Sequence, residues 1–215
     1  MAYQGLDKAM AQLKSKAKEN ALDYSFIMHC LKNYASPRSK LTQLIKSEAL
    51  IRIKKGLYVF SEPYLKENLS LEVLANLAYG PSYVSLEWAL QKYHFIPEYV
   101  AEVTSVTAKK SYKFTCSLAR FSYAHVPSTL YATGVTQMEG ALMATPEKAL
   151  TDFLIIRRGR VTSIKEMRLI LFEDMRVDDE VLFGLDLNLI KLIYENYKHS
   201  AIYYLIKVLE KGQGG

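Results

Sequence analysis

With only two cysteines in 215 residues, the chain has no disulfide framework, and packed apolar side chains must hold it together. Cys30 falls in an apolar helical pattern and Cys116 in an expected strand, so both read as small core hydrophobes in a reducing cytoplasm. No apolar run reaches the roughly 18 residues of a membrane span, and no apolar segment follows a basic start, so no membrane partner is expected. Histidine is scarce as well. His29, His94, His125 and His199 stand far apart with nothing at zinc-ligand spacing, and Ser, His and acidic residues form no nucleophile motif. Neither a metal nor a cofactor is expected, and the chain does not read as an enzyme. Internal repeats and low-complexity segments are missing too. What remains is a chain half of whose residues are hydrophobic, enough for one large core or two modest ones, and two domains is the better reading.

The charge is unevenly placed. Residues 1–62 hold 11 Lys and Arg against 5 Asp and Glu, whereas residues 63–215 hold 17 of each, so the whole formal excess of +6 lies in the first part. Lys8, Lys14, Lys16 and Lys18 are spread along an amphipathic helix and read as a solvated face. The cations from Arg38 onward are another matter, because they lie on a distinctive local pattern. Clustered positive charge beside such a pattern is the footprint of phosphate binding, in which each neutralised phosphate releases condensed counterions.

That pattern is SPRSKLTQLIKSEALIRIKKGLYVF, residues 36–60. Ser36 suits an N-cap and Pro37 the first helical position, where its missing N–H would have had no partner. Leu41, Leu44 and Ile45 make one apolar stripe, with Ser39, Gln43 and Lys46 opposite and Thr42 beside them. Ile51 and Ile53 alternate with Arg52 and Lys54, and Lys55 and Gly56 offer a turn before Leu57, Tyr58, Val59 and Phe60. Upstream, Leu6, Met10, Leu13 and Ala17 share a helical face, and Asp23 can cap a second helix burying Phe26, Ile27, Cys30 and Leu31. Three helices followed by a basic hairpin read as a winged helix-turn-helix over residues 1–62.

Residues 61–68, with Pro63 and mixed charges, read as a linker, and a second, α+β domain is expected over 69–211. Ser70 can cap a helix turning Leu71, Leu74, Leu77 and Ala78 inward, ended by Gly80 and Pro81. Leu86, Ala89, Leu90 and Tyr93 repeat the pattern. After Pro97 the texture turns β-branched and aromatic over 99–107, 112–116, 119–126 and 130–136, which predicts a small antiparallel sheet with a hairpin around Ala108, Lys109 and Lys110. Thr145, Pro146 and Glu147 cap a helix, Ser163 with Glu166 makes a capping box for another, and helices over 187–197 and 201–209 close the chain before a GQGG tail expected to fray.

The stretches SPRSKLTQLIKSEALIRIKKGLYVF, YGPSYVSLEWALQKYHFIPE, EVTSVTAKKSYKF and ATPEKALTDFL, running in that order from residue 36 to residue 154, resemble the AbiEi-type antitoxins of type IV toxin-antitoxin systems, regulators in abortive infection against phage. The resemblance implies a winged helix that represses its own operon and an antitoxin domain that counteracts a neighbouring nucleotidyltransferase toxin, with no direct contact required. Beyond residue 156 only helical texture is shared.

Residue by residue, Ser39, Thr42 and Gln43 are the candidates for base edges, Gln suiting a bidentate bond to adenine. Arg38, Lys40 and Lys46 are assigned to phosphates, and Arg52, Lys54 and Lys55 to the backbone or a narrow minor groove. Tyr58 is assigned either to stacking or a phosphate bond, or to the core, where an aromatic on the return strand more often belongs. The expected partner is double-stranded operator DNA, read by two copies on an inverted repeat, the protein being a monomer or dimer in solution. The alternative is a DNA-processing nuclease targeted by a winged helix, with Glu147, Lys148 and Asp152 as its site and the carboxylates holding Mg²⁺. Against it, Glu147 suits the positive end of a helix dipole and Asp152 is expected to face solvent a turn later.

Overall fold

The computed structural model describes residues 2–212. The side chains of residues 2–7, Leu6 of the expected helical face among them, and residues 213–215 of the tail lie outside the described residues. The fold is α+β, and the chain divides into two compact units, residues 1–74 with 116–118, and residues 75–115 with 119–215.

The first unit runs α1 (Ala2–Lys16), β1 (Ala21–Asp23), α2 (Tyr24–Cys30), α3 (Pro37–Lys46), β2 (Leu50–Lys54) and β3 (Leu57–Phe60). α2 begins where Asp23 accepts the Phe26 N–H at 2.8 Å, a side-chain N-cap. α3 begins at Pro37, but Ser36 spends its hydroxyl on Ser39 Oγ at 2.8 Å and caps only through its carbonyl, which accepts the Lys40 N–H. The three strands form an antiparallel sheet in the order β1, β3, β2. Its middle strand is buried at every residue, as a strand paired on both sides and packed on helices must be. Met10, Leu13, Ile27, Leu31, Leu44, Leu50 and Phe60 make the centre of one hydrophobic core. At about 1.5–3 kcal/mol for each fully buried large apolar side chain, that core outweighs any single cap or hairpin bond. The segment expected as a linker is fastened instead: Asn20 donates to Glu67 O at 2.9 Å and accepts the Lys66 N–H at 2.8 Å.

The helix α4 (Leu71–Ala78) carries the chain from one unit to the next. Ser70 Oγ accepts the Val73 N–H at 3.2 Å, and Leu74 and Ala78 are buried, but Leu77 is 48% exposed and Ala75 takes the inward place. Then come β4 (Ser82–Val84), α5 (Leu86–Lys92), β5 (Glu102–Thr107), β6 (Tyr112–Thr115), β7 (Arg120–His125), β8 (Val135–Met138), β9 (Ala141–Ala144), α6 (Pro146–Phe153), α7 (Ile164–Arg168), α8 (Asp179–Phe183), α9 (Leu187–Tyr197) and α10 (Ser200–Gly212). π-helical turns over 154–158 and 169–174 extend α6 and α7.

The sheet of this unit corrects two expectations. It has six strands in the order β6, β7, β5, β4, β9, β8, and it is mixed rather than small and antiparallel, since β5 runs parallel to β7 and β4 parallel to β9. There is also no hairpin across Ala108, Lys109 and Lys110. β6 pairs antiparallel with β7, which lies between it and β5. The reason is burial: five of the six residues of β5 are buried, so it needs a partner on each side, whereas β6 is almost wholly exposed and suits an edge. On one face Thr104 bonds the start of α5, its Oγ1 donating to Ser85 O at 2.6 Å and accepting the Trp88 N–H at 3.0 Å. On the other, Tyr123 donates to Ala75 O of α4 at 2.8 Å.

Candidate nucleic-acid interface and a buried ion pair

Ten residues make α3, and its apolar side is consumed by the core through Leu41 and Leu44. The 3.6-residue period therefore turns Arg38, Thr42 and Lys46 outward in one row and Ser39 and Gln43 in the next, and all five are exposed. Ser39 accepts the Ser36 hydroxyl, which leaves its own proton to donate. Thr42 gives its proton to Arg38 O at 3.1 Å, so towards a groove it offers only lone pairs. Lys46 ends the helix, where a cation meets the negative end of the dipole. Lys40 stands off this face, half-buried, with its Nζ 5.6 Å from the centre of the Tyr34 ring. A phosphate there competes with a cation–π contact.

In the hairpin, Lys55 is exposed, Lys54 half-buried, and Gly56 takes φ +91°, a left-handed conformation open to glycine. The register slips between Arg52 and Lys54, so Ile53 is an inserted residue and enters the core at 3% exposure. Arg52 is exposed but lines a hollow with Glu48 and Glu62, whose charges oppose a phosphate at that point. Lys54 and Lys55 are the better placed cations of the hairpin. Tyr58 is corrected. It is 6% exposed within the hydrophobic core of the first unit, on the middle strand, where no base can stack on it.

Asp152 is corrected too, for it does not face solvent. α6, capped by Thr145 and opened by Pro146, is buried from Glu147 to Phe153, and Asp152 and Lys148 are 0% and 1% exposed. Lys148 Nζ donates to Asp152 Oδ1 at 2.7 Å and to Leu130 O at 3.1 Å, and lies 5.7 Å from the Tyr83 ring and 5.9 Å from the Tyr197 ring. Tyr83 OH and Ser85 Oγ each donate to Asp152 Oδ2 at 2.9 Å. Burial pushes the Asp152 carboxyl up against the lowering pull of Lys148, and burial with the Asp152 charge pushes the Tyr197 phenol up to about 12. The Tyr83 phenol is pushed up by the same two causes and stays a donor. Gly134, at φ +80°, makes room for the lysine: a Cβ there would stand 2.8 Å from Lys148 Cβ.

This cluster is closed. Asp152 has its oxygens taken by three donors, and Glu147, also buried, accepts the Asp186 N–H at 3.0 Å. Both carboxylates are thus engaged inside the fold, Asp152 through both oxygens and Glu147 through Oε1. The sequence places Lys148 four residues before Asp152, the spacing of a helical ion pair, but that spacing does not tell a buried pair from an exposed one. Among the described residues no group of three or more His, Cys, Asp or Glu stands ready to hold a metal, and no helix is long and apolar enough to cross a membrane. Compared with protein-family models and with curated proteins, the chain matches none.

Proposed function

We propose that the protein is a transcriptional repressor whose first unit is a winged helix-turn-helix. One observation carries this reading: the outward rows of α3 hold Arg38, Ser39, Thr42, Gln43 and Lys46 with no acid among them, and a hairpin with Lys54 and Lys55 at its turn follows at once. A helix of ten residues with a polar, cationic face fits a major groove, and cations on a neighbouring hairpin supply phosphate contacts. Gln43 reads a base edge; Ser39 and Thr42 assist; Arg38, Lys46, Lys54 and Lys55 supply affinity. Two copies acting on an inverted repeat in the cytoplasm give the site enough length for specificity.

The resemblance to AbiEi-type antitoxins extends the proposal: the repressor controls its own operon, and the second unit opposes a nucleotidyltransferase toxin encoded beside it. The test is a labelled fragment from upstream of the reading frame, incubated with the full chain and Mg²⁺ at several salt concentrations. An intact, shifted, salt-sensitive complex is expected. Cleavage of the fragment, or no salt-sensitive shift, would overturn the repressor reading.

A further inference from the structure

Outside α3 and the hairpin, one surface of the second unit combines partly exposed aromatic rings with cations and no carboxylate in the adjoining hollow. Tyr79, which follows α4, and Tyr112 of β6 have ring centres 5.0 Å apart, and Tyr112 stacks on Phe114 at 5.8 Å with 29° between planes. Behind this row Phe121 and Tyr123 of β7 are buried, so the inner rings are core. The outer row is not. Tyr112 is 42% exposed on an edge strand, and Tyr79 and Phe114 are half-buried. Beside the row lies a hollow of about 720 Å³ lined by Tyr79, Ala108, Lys109, Lys110, Ser111 and His125, with no carboxylate in its lining. Residues 108–115 include no acid.

The polar groups there are ordered. Lys109 Nζ donates to Gly80 O and lies 5.6 Å from the Tyr79 ring centre, and Tyr79 OH donates to Lys110 O at 3.0 Å. Ser111 Oγ accepts the His125 N–H at 3.1 Å, which leaves its proton to donate. His125 Nδ1 is 2.8 Å from Lys109 O; a carbonyl only accepts, so Nδ1 carries the proton and the neutral ring keeps a lone pair at Nε2. Partly exposed rings, cations that meet an anion, and a donor and acceptor between them match a nucleotide: base, phosphate and ribose hydroxyl.

We infer that this surface binds single-stranded RNA. A duplex hides its base faces, whereas an unpaired strand lays successive bases on aromatic rings, and the row of Tyr79, Tyr112 and Phe114 is longer than one base needs. Lys109 and Lys110 take the phosphates, and Ser111 and His125 are placed for a 2′-hydroxyl, which deoxyribose lacks.

The test uses the full chain and a fluorescein-labelled oligouridylate of about 12 nucleotides, the deoxy oligomer of equal length, and a duplex of unrelated sequence. Fluorescence anisotropy at low salt should show the ribo-oligomer bound, and more tightly than the deoxy oligomer. Tyr112→Ala should weaken RNA binding by about 5- to 160-fold, the range of one lost base stack. Lys110→Ala should flatten the slope of log K against log salt by about 0.7. Neither substitution should change duplex binding, and Arg38→Ala with Lys46→Ala should lower duplex binding while sparing RNA. No binding of the ribo-oligomer, RNA binding indifferent to Tyr112→Ala, or RNA binding abolished by the α3 double variant would overturn the inference. Equal affinity for the deoxy oligomer would overturn the assignment to RNA.

Discussion

Replacing Asp152 with Asn keeps the size of the side chain and one oxygen for Tyr83 and Ser85, but it leaves the Lys148 ammonium, 1% exposed, without a counter-charge. Only Leu130 O and the faces of two tyrosines remain around it. Breaking a buried pair on one side costs about 3–5 kcal/mol, because the stranded charge has lost its hydration without compensation. For a unit of this size each kcal/mol moves the melting temperature by about 2–4 °C, so a fall of about 6–20 °C is expected. Trp88, the single tryptophan, lies in α5 against the same sheet face, so its fluorescence reports the unfolding of the second unit. Adding Lys148→Met removes the stranded charge and should restore at least about half of the loss, since an uncharged pair of similar volume is tolerated far better than half an ion pair. A cost for Asp152→Asn below about 1 kcal/mol, or a double variant no more stable than the single, would refute the view that this pair is a desolvated, mutually dependent unit.

Two further outcomes are expected. Gln43→Ala should cost about 1–3 kcal/mol on the operator and little on unrelated DNA, whereas Lys54→Ala with Lys55→Ala should weaken both and flatten the salt slope by about 1 per lost phosphate contact; titrations on both DNAs at several salt concentrations check this, and equal losses for Gln43→Ala would count against base readout. His199 precedes α10, its Nδ1 accepts the Ala201 N–H at 3.2 Å, and burial pushes the imidazole below its ordinary 6.5. A lowered folded value means that its contribution is present above about pH 6.5 and lost as pH falls through the folded value, by about 1 kcal/mol for a lost cap. His199→Asn, which caps without titrating, should shrink the difference between melts near pH 7.5 and pH 5; an unchanged difference would remove His199 from the acid sensitivity.

How far the residues announced their structure depended on the range of the interaction. α3 and the hairpin were legible because a proline at the first helical position, a three-and-four apolar spacing and a Lys-Gly turn are local signals. The order of the six-stranded sheet was not, because both parallel pairings pass over at least one intervening strand, and β4 and β9, three and four residues long, were too short to show a period. Asp152 was misread for a physical reason. A Lys and an Asp four apart look the same whether water or tyrosine surrounds them, and Tyr83 and Ser85, which settle the matter, lie nearly 70 residues earlier. Tyr58 was open between face and core, and the middle place of β3 between two partners decided it.

The hairpin of the first unit is braced along its length, β1 pairing with Leu57, Tyr58 and Val59 while the Tyr24 N–H closes on Gly56 O at 3.0 Å. The loop is thus clamped to the first residue of α2 by a bond of its own backbone. Such a loop has no slack. Its place beside α3 is set by the core and by that bond, as one jaw of a caliper is fixed to the beam, and an inserted residue at Lys55 or Gly56 must break the closure before it can lengthen the loop.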